Sequence, residues 1–342
     1  MEINSKQKQA SVIIGAAIII GIFTFYNLFF AGISKKNDTT YLLIDKNDNI
    51  DSIYTKFEQV TSGGNTFGLK ILVSTFGYAD HIRTGRYAIK KGEGSLHFFR
   101  KLRNGTQEAI DLVIPSVRTM DKLAAFLSEK LMMDSVELKQ KFMDNAFCSK
   151  YGYDTATLAC LFIPNTYEIY WDISLDGFMK RMQKENKIFW SSERLEKAQK
   201  AGLKPNEVIT LASIVDEETA NNTEKPKVAG MYVNRYKIGM PLQADPTIKY
   251  AWKEFGLKRI YNNLLSIKSP YNTYRNIGLP PGPIRIPSVA GIDAVLNHER
   301  HKYLFMCAKE DLSGTHNFAE TYSDHMKNAA KYTEALNKRG IK

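Results

Sequence analysis

Three consecutive carboxylates, Asp216, Glu217 and Glu218, close the segment Pro205–Ala220, PNEVITLASIVDEETA. Read as a helix, Val208, Leu211, Ala212 and Val215 recur at i, i+3, i+4 and i+7 and form one apolar stripe. Glu218 lies seven residues after Leu211, four after Ile214 and three after Val215, at the edge of that stripe. Asp216 flanks the other edge, and Glu217 points nearly opposite. A carboxyl partly withdrawn from water holds its proton towards neutral pH, which is what a general acid requires. The same spacing also fits an acidic helix end with one carboxylate in a structural salt bridge, and helix geometry leaves both readings open.

Further polar groups gather in segments that read as loops. Gln243, Asp245, Pro246 and Thr247 lie in PLQADPT, and Tyr271, Asn272, Thr273 and Tyr274 form YNTY. Gly278–Ile284 is GLPPGPI, and His316 and Phe318 come later. Such loops suit a sugar, because aromatic faces stack on the ring while amides and hydroxyls match its hydroxyls. GLPPGPI reads equally well as a rigid polyproline turn, and His316 as a structural histidine. No metal-ligand pair stands at helix spacing, and neither GxSxG nor a phosphate loop occurs. Ser213 has no nearby histidine in sequence to make a triad evident. No metal or cofactor is therefore expected.

These groups need elements to hold them. Tyr41–Ile44, Leu69–Val73, Gly85–Ile89 and Ala109–Ile114 read as strands, and Asp51–Phe57 and Ser95–Leu102 as helices, the first with Asp51 as N-cap. Asn104-Gly105 is a turn. Thr119–Phe147 reads as helical, with Leu123, Phe126, Leu127 and Leu131 on one face. Leu161–Trp171, LFIPNTYEIYW, is an aromatic connector with a proline break. Helices are expected over Ser174–Lys187, Ser191–Ala201, Pro205–Ala220, Lys225–Ile238 and Val289–Asn297. A strand at Tyr303–Ala308 and a closing helix over Tyr322–Lys338 complete the pattern. The fold class is α+β.

The 342 residues suffice for two domains. The net charge of +11 fits nucleic acid, an anionic membrane surface or an anionic polymer. No basic block interleaved with aromatics, zinc-finger spacing or RNA-binding signature occurs, which argues against nucleic acid. Cys148, Cys160 and Cys307 form neither a metal site nor a disulfide framework; free thiols are expected, with a Cys148–Cys160 bridge as the alternative. From Ala10 to Ile33 the chain carries no charge, a run long enough to cross a bilayer. It exceeds a usual signal-peptide core and no A-x-A site follows, so an uncleaved anchor is expected. Lys6 and Lys8 precede the run and Lys35 and Lys36 follow it, so the positive-inside bias is small. If the run is an export signal, the short tail before it makes the large domain the translocated part, and a cytoplasmic N-terminus with an extracytoplasmic body is expected.

ASIVDEET, VNRYKIGMPLQADPTIKY, SPYNTY and GLPPGPIRIP, in this order and at these spacings, resemble the MltG/YceG-like endolytic murein transglycosylases. The likeness covers the chain from about Leu161 onward. It is looser before that, where GRYAIKKGEGS and KLRNGTQ resemble the family's LysM-like domain. The resemblance implies residues 1–9 as a cytoplasmic N-terminus, 10–33 as a transmembrane helix, 41–117 as a LysM-like module and 118–342 as a catalytic domain. It also implies that Glu218, the last acidic residue of the motif, is the catalytic glutamate. Asp216 and Glu217 depart from the family's glutamate and lysine but leave that position intact. Gln243, Asp245, Asn272 and Tyr274 are expected to position the glycan. The implied activity is endolytic cleavage of nascent peptidoglycan at the inner membrane, leaving 1,6-anhydro ends and terminating strand elongation, with peptidoglycan synthases as partners. Two other readings stay open: a non-catalytic wall-binding scaffold, and a muramidase pairing Glu218 with Asp245.

Overall fold

A computed structural model describes residues 5–257 and 260–339. The chain divides into two compact units. The first runs to Leu112 and takes in Lys130–Met132 and Glu168–Ile173; the second comprises the rest.

The first unit begins with α1 (Ser5–Phe29), which buries none of its side chains and is long and apolar enough to cross a membrane. β1 (Thr40–Ile44) pairs antiparallel with β2 (Gly85–Ile89), Thr40 opposite Ile89 and Ile44 opposite Gly85. α2 (Ile50–Val60) is capped by Asn49, whose side chain accepts from the Ser52 amide while the Ser52 hydroxyl accepts from the Asn49 amide. Asp51, the expected cap, lies instead in the first turn, where its charge meets the helix dipole. Leu69–Val73, expected as a strand, belongs to α3 (Phe67–Thr75). Leu69, Leu72 and Val73 fall at i, i+3 and i+4, and that single face is buried. α4 (Ser95–Asn104) ends at Gly105, which takes the left-handed conformation. β3 (Ile110–Val113) follows. The unit's core joins Leu42, Ile44, Phe57, Leu69, Tyr87 and Phe98.

In the second unit the expected long helix over Thr119–Phe147 is three: α5 (Met120–Lys130), α6 (Ser135–Phe142) and α7 (Asn145–Ser149). The side chains of Asp134 and Asp144 accept backbone N–H bonds and start new helices, competing with continuation. The aromatic connector holds β4 (Thr166–Ile169). Then come α8 (Leu175–Phe189), α9 (Ser192–Ala201), α10 (Pro205–Glu218) and α11 (Lys225–Lys237). PLQADPT, read as loop, opens α12 (Asp245–Trp252), with Pro246 in its first turn. α13 (Val289–Leu296) precedes the antiparallel pair β5 (Phe305–Ala308) and β6 (His316–Ala319), the latter also read as loop. α14 (Tyr322–Lys338) closes the unit. The molecule is mixed α+β with one N-terminal apolar helix, and all three cysteines are free.

α10 is the axis of the second core. Every residue from Val208 to Val215 is buried, so the helix is enclosed on all sides rather than along one stripe. Pro205 supplies the N-terminal start, and its polar C-terminus emerges as Asp216, Glu217 and Glu218.

Candidate active site

The three carboxylates at the end of α10 leave the core in different directions. Asp216 forms a buried ion pair with Lys225 at 2.7 Å and accepts from the Ser288 amide at 2.6 Å and the Ser288 hydroxyl at 3.0 Å. It thereby fixes the start of α13, where a Cβ at Gly291 would lie 2.5 Å from its carboxylate. Glu217 accepts two bonds from the Arg118 guanidinium, at 2.8 and 2.9 Å, and one from Arg285 at 2.9 Å. Both are committed to structure, as bidentate and buried pairs usually are.

Glu218 has no ion-pair partner among the described residues. Its Oε1 accepts from the Tyr232 hydroxyl at 2.5 Å, and no described residue donates to Oε2. Burial pushes the carboxyl up to about 7, against the smaller opposing effect of the Tyr232 hydrogen bond. The negative charge of Asp245 raises it further, and His316 and Lys249 pull it down. Because the tyrosine donates to Oε1, the proton of the acid form resides on Oε2.

Glu218 lines a cavity of about 230 Å³ with Tyr232, Arg235, Gln243, Asp245, Tyr274 and His316. Tyr232 and Arg235 stand at i and i+3 on α11 and so share a face. The Arg235 guanidinium is buried and donates to the carbonyls of Leu304 and Leu242, at 2.5 and 2.7 Å. The His316 imidazole meets Glu224 at 3.0 Å, and its backbone N–H donates to the same carboxylate at 2.7 Å. Met306, Cys307 and Ala308 of β5 complete the wall.

The sequence motifs interlock around this cavity. Thr273 of YNTY accepts from the Ala244 amide at 3.0 Å, and its carbonyl accepts from the Gln243 amide at 3.1 Å. Gln243 is thereby held at a φ of +50°, the left-handed region a side chain rarely occupies, which costs about 1–2 kcal/mol. The Tyr274 hydroxyl donates to Asp245 at 2.5 Å. In the GLPPGPI segment, the Ile284 amide donates to the Ser213 hydroxyl on α10 at 3.0 Å.

Of the five residues expected to form the site, the structure brings Glu218, Gln243, Asp245 and Tyr274 together. Asn272 stays outside the lining. It is fully buried and donates to the carbonyls of Leu265 and Ile267, at 2.8 and 2.9 Å, while its Oδ1 receives the Tyr274 amide at 3.0 Å. Such a saturated amide orients Tyr274 and has no donor left for a ligand. Tyr232, Arg235 and Glu224 were not singled out from sequence. The available signal is the i, i+3 spacing of Tyr232 and Arg235 beside the apolar Val228, Ala229, Met231 and Val233 of a helix that also carries lysines.

Residues 42–331 match the YceG-like family. A Bacillus subtilis protein named endolytic murein transglycosylase is 29% identical over 277 residues, 76% of either chain. A Streptococcus pneumoniae protein of that name is 25% identical over 327 residues, which are 85% of this chain and 58% of that protein. A crystal structure of a YceG-like protein from Listeria monocytogenes matches with a TM-score of 0.54 at 25% identity, covering 85% of this chain and 99% of that one.

Proposed function

The chain belongs to the YceG-like family, and from that premise we propose that it is a lytic transglycosylase that cleaves the MurNAc–GlcNAc bond of nascent peptidoglycan endolytically. The observation that carries this reading is Glu218: a carboxyl without a cation, pushed up to about 7 by burial, beside a polar cavity.

Glu218 starts protonated and gives the Oε2 proton to the glycosidic oxygen. The C1–O bond breaks and GlcNAc leaves with a new hydroxyl. The substrate's own N-acetyl group stabilises the positive charge on C1, as in substrate-assisted glycosidases. The ionised Glu218 then takes the proton of the muramyl C6 hydroxyl, and that oxygen closes onto C1. The product is a 1,6-anhydro end, Glu218 is again protonated, and no water is consumed. Tyr232 holds the carboxyl in one orientation through both half-steps. Gln243, Asp245 and Tyr274 line the cavity where the sugar would sit.

The remaining assignments follow the same reading. α1 anchors the protein in the inner membrane with a cytoplasmic N-terminus, residues 41–117 form a LysM-like glycan-holding module, and 118–342 form the catalytic domain. Cleavage next to the membrane ends elongation of strands as synthases deliver them. Asp245 in the same cavity keeps a hydrolase reading alive, in which it pairs with Glu218.

The test is mass spectrometry of fragments released from purified peptidoglycan by the full chain in detergent. Anhydro-ended products from wild type, and at least about a hundredfold less from Glu218→Gln, are expected. Products heavier by one water would transfer the assignment to a Glu218–Asp245 hydrolase. Glycan retained but uncut by wild type would make it a scaffold.

A further inference from the structure

A second cavity lies in the first unit, where α1 ends. It measures about 460 Å³; its floor is Phe29, Phe30 and Leu96, and Lys90, Lys91 and Arg100 stand around it. No described acidic side chain pairs with those three cations. The one carboxylate in the lining, Glu93, is already engaged by Lys101 at 2.7 Å and His97 at 2.6 Å. The cavity therefore combines an apolar floor with uncompensated positive charge.

The cavity and the helix end are one piece. The Leu28 carbonyl packs against Gly68 so closely that a Cβ there would lie 1.8 Å from it. The Asn65 side chain donates to the Asn27 carbonyl at 3.1 Å, and the Ile33 amide donates to the Glu93 carbonyl at 2.9 Å. The depth of α1 in a bilayer thus sets the depth of the cavity. The uncharged stretch from Ala10 to Phe29 spans roughly 30 Å, the thickness of the hydrocarbon layer. Tyr26 stacks on Phe30 at 6.2 Å, an aromatic pair of the kind that marks the interface. Phe29 and Phe30 then sit at the hydrocarbon edge, with Lys90, Lys91 and Arg100 among the headgroups.

We propose that this cavity binds an anionic phospholipid, its phosphate against Lys90, Lys91 and Arg100 and the start of an acyl chain over Phe29, Phe30 and Leu96. The inference rests on reading α1 as a membrane anchor and is independent of the catalytic assignment. Each surface cation contributes about fivefold to affinity for an anionic lipid, so the three together give a preference on the order of a hundredfold.

The experiment is native mass spectrometry of the full chain in neutral detergent, titrated with phosphatidylglycerol or phosphatidylcholine. Wild type should retain the anionic lipid at about a hundredfold lower concentration. Combined Lys90→Gln, Lys91→Gln and Arg100→Gln substitutions should bring the two lipids together. Single Lys91→Glu, on an exposed turn, should fall between, with an unchanged melting temperature. Equal retention of both lipids by wild type, or a preference the triple variant keeps, would overturn the site. Displacement by millimolar inorganic phosphate alone would overturn the lipid as its ligand. Carbonate extraction of cell membranes separates the two readings. Release of the protein defeats the anchor, whereas firm retention without lipid preference defeats only the cavity.

Discussion

At the scale of single residues, Asp216, Glu217 and Glu218 share one helix end and differ in who meets them. Lys225 and the Ser288 amide take the first, Arg118 and Arg285 the second, and a single tyrosine hydroxyl the third. The raised carboxyl of Glu218 has a stability signature. Its folded pKa of about 7 exceeds the unfolded value, so the native state holds the proton more tightly. Below about pH 4 both states are protonated and nothing is lost; between there and pH 7 stability falls, and above 7 the full penalty applies. Glu218→Gln escapes that penalty. It should melt above wild type at pH 8, by up to about 3 kcal/mol, and alongside it at pH 4, while cleavage drops by about 10²–10⁴. Equal melting temperatures at pH 8 would mean the carboxyl is not desolvated. Tyr232→Phe removes a bond that favours the ionised form. The alkaline limb of the pH–rate profile, expected near pH 7 for wild type, should move to higher pH in that variant.

At the scale of elements, α10 carries the carboxylates because its body, Val208 to Val215, is mostly apolar and enclosed on all sides, and the segments around it are tied to it or to each other by side chains. Asp216 is the tie to α11 and α13. Asp216→Ala would strand a buried Lys225 and leave Ser288, the N-cap of α13, without the acceptor for its amide and hydroxyl, at a cost of about 3–5 kcal/mol. Thermal unfolding of the full chain in detergent measures it, and a loss under 1 kcal/mol would show that water replaces the pair. Thr273 ties the YNTY loop to α12, through the Ala244 amide and the Thr247 hydroxyl at 2.9 Å. Thr273→Val leaves both groups buried without that partner, costing about 1–3 kcal/mol. It should slow turnover by loosening Gln243 and Asp245 while the alkaline limb set by Glu218 stays in place. A shift of that limb would place Thr273's effect on the acid itself.

At the scale of the whole molecule, a 25-residue helix with no buried side chain, apolar from Ala10 onward, opens the first of two compact units. A chain beginning at Gly32, which keeps the buried Ile33, should leave the membrane pellet for the supernatant. Retention in the pellet would mean another surface holds the membrane. The apolar run, the α+β pattern, the span of α10 and the order of the motifs were all legible in the sequence, because each is a property of neighbouring residues. Local pattern failed where partners are distant. Leu69–Val73 reads as a strand until its one buried face is seen, and β6 shows no strand signal until β5 pairs with it. The site divides the same way. The sequence alone determined that three carboxylates end a buried helix and that polar motifs follow it. Only the tertiary structure decided which carboxylate stays unpaired. Arg118 reaches Glu217 from 99 residues before it and Arg285 from 68 after, and Ser288 reaches Asp216 across 72. The charge a carboxyl carries depends on the dielectric and the cations around it, and those are assembled by folding.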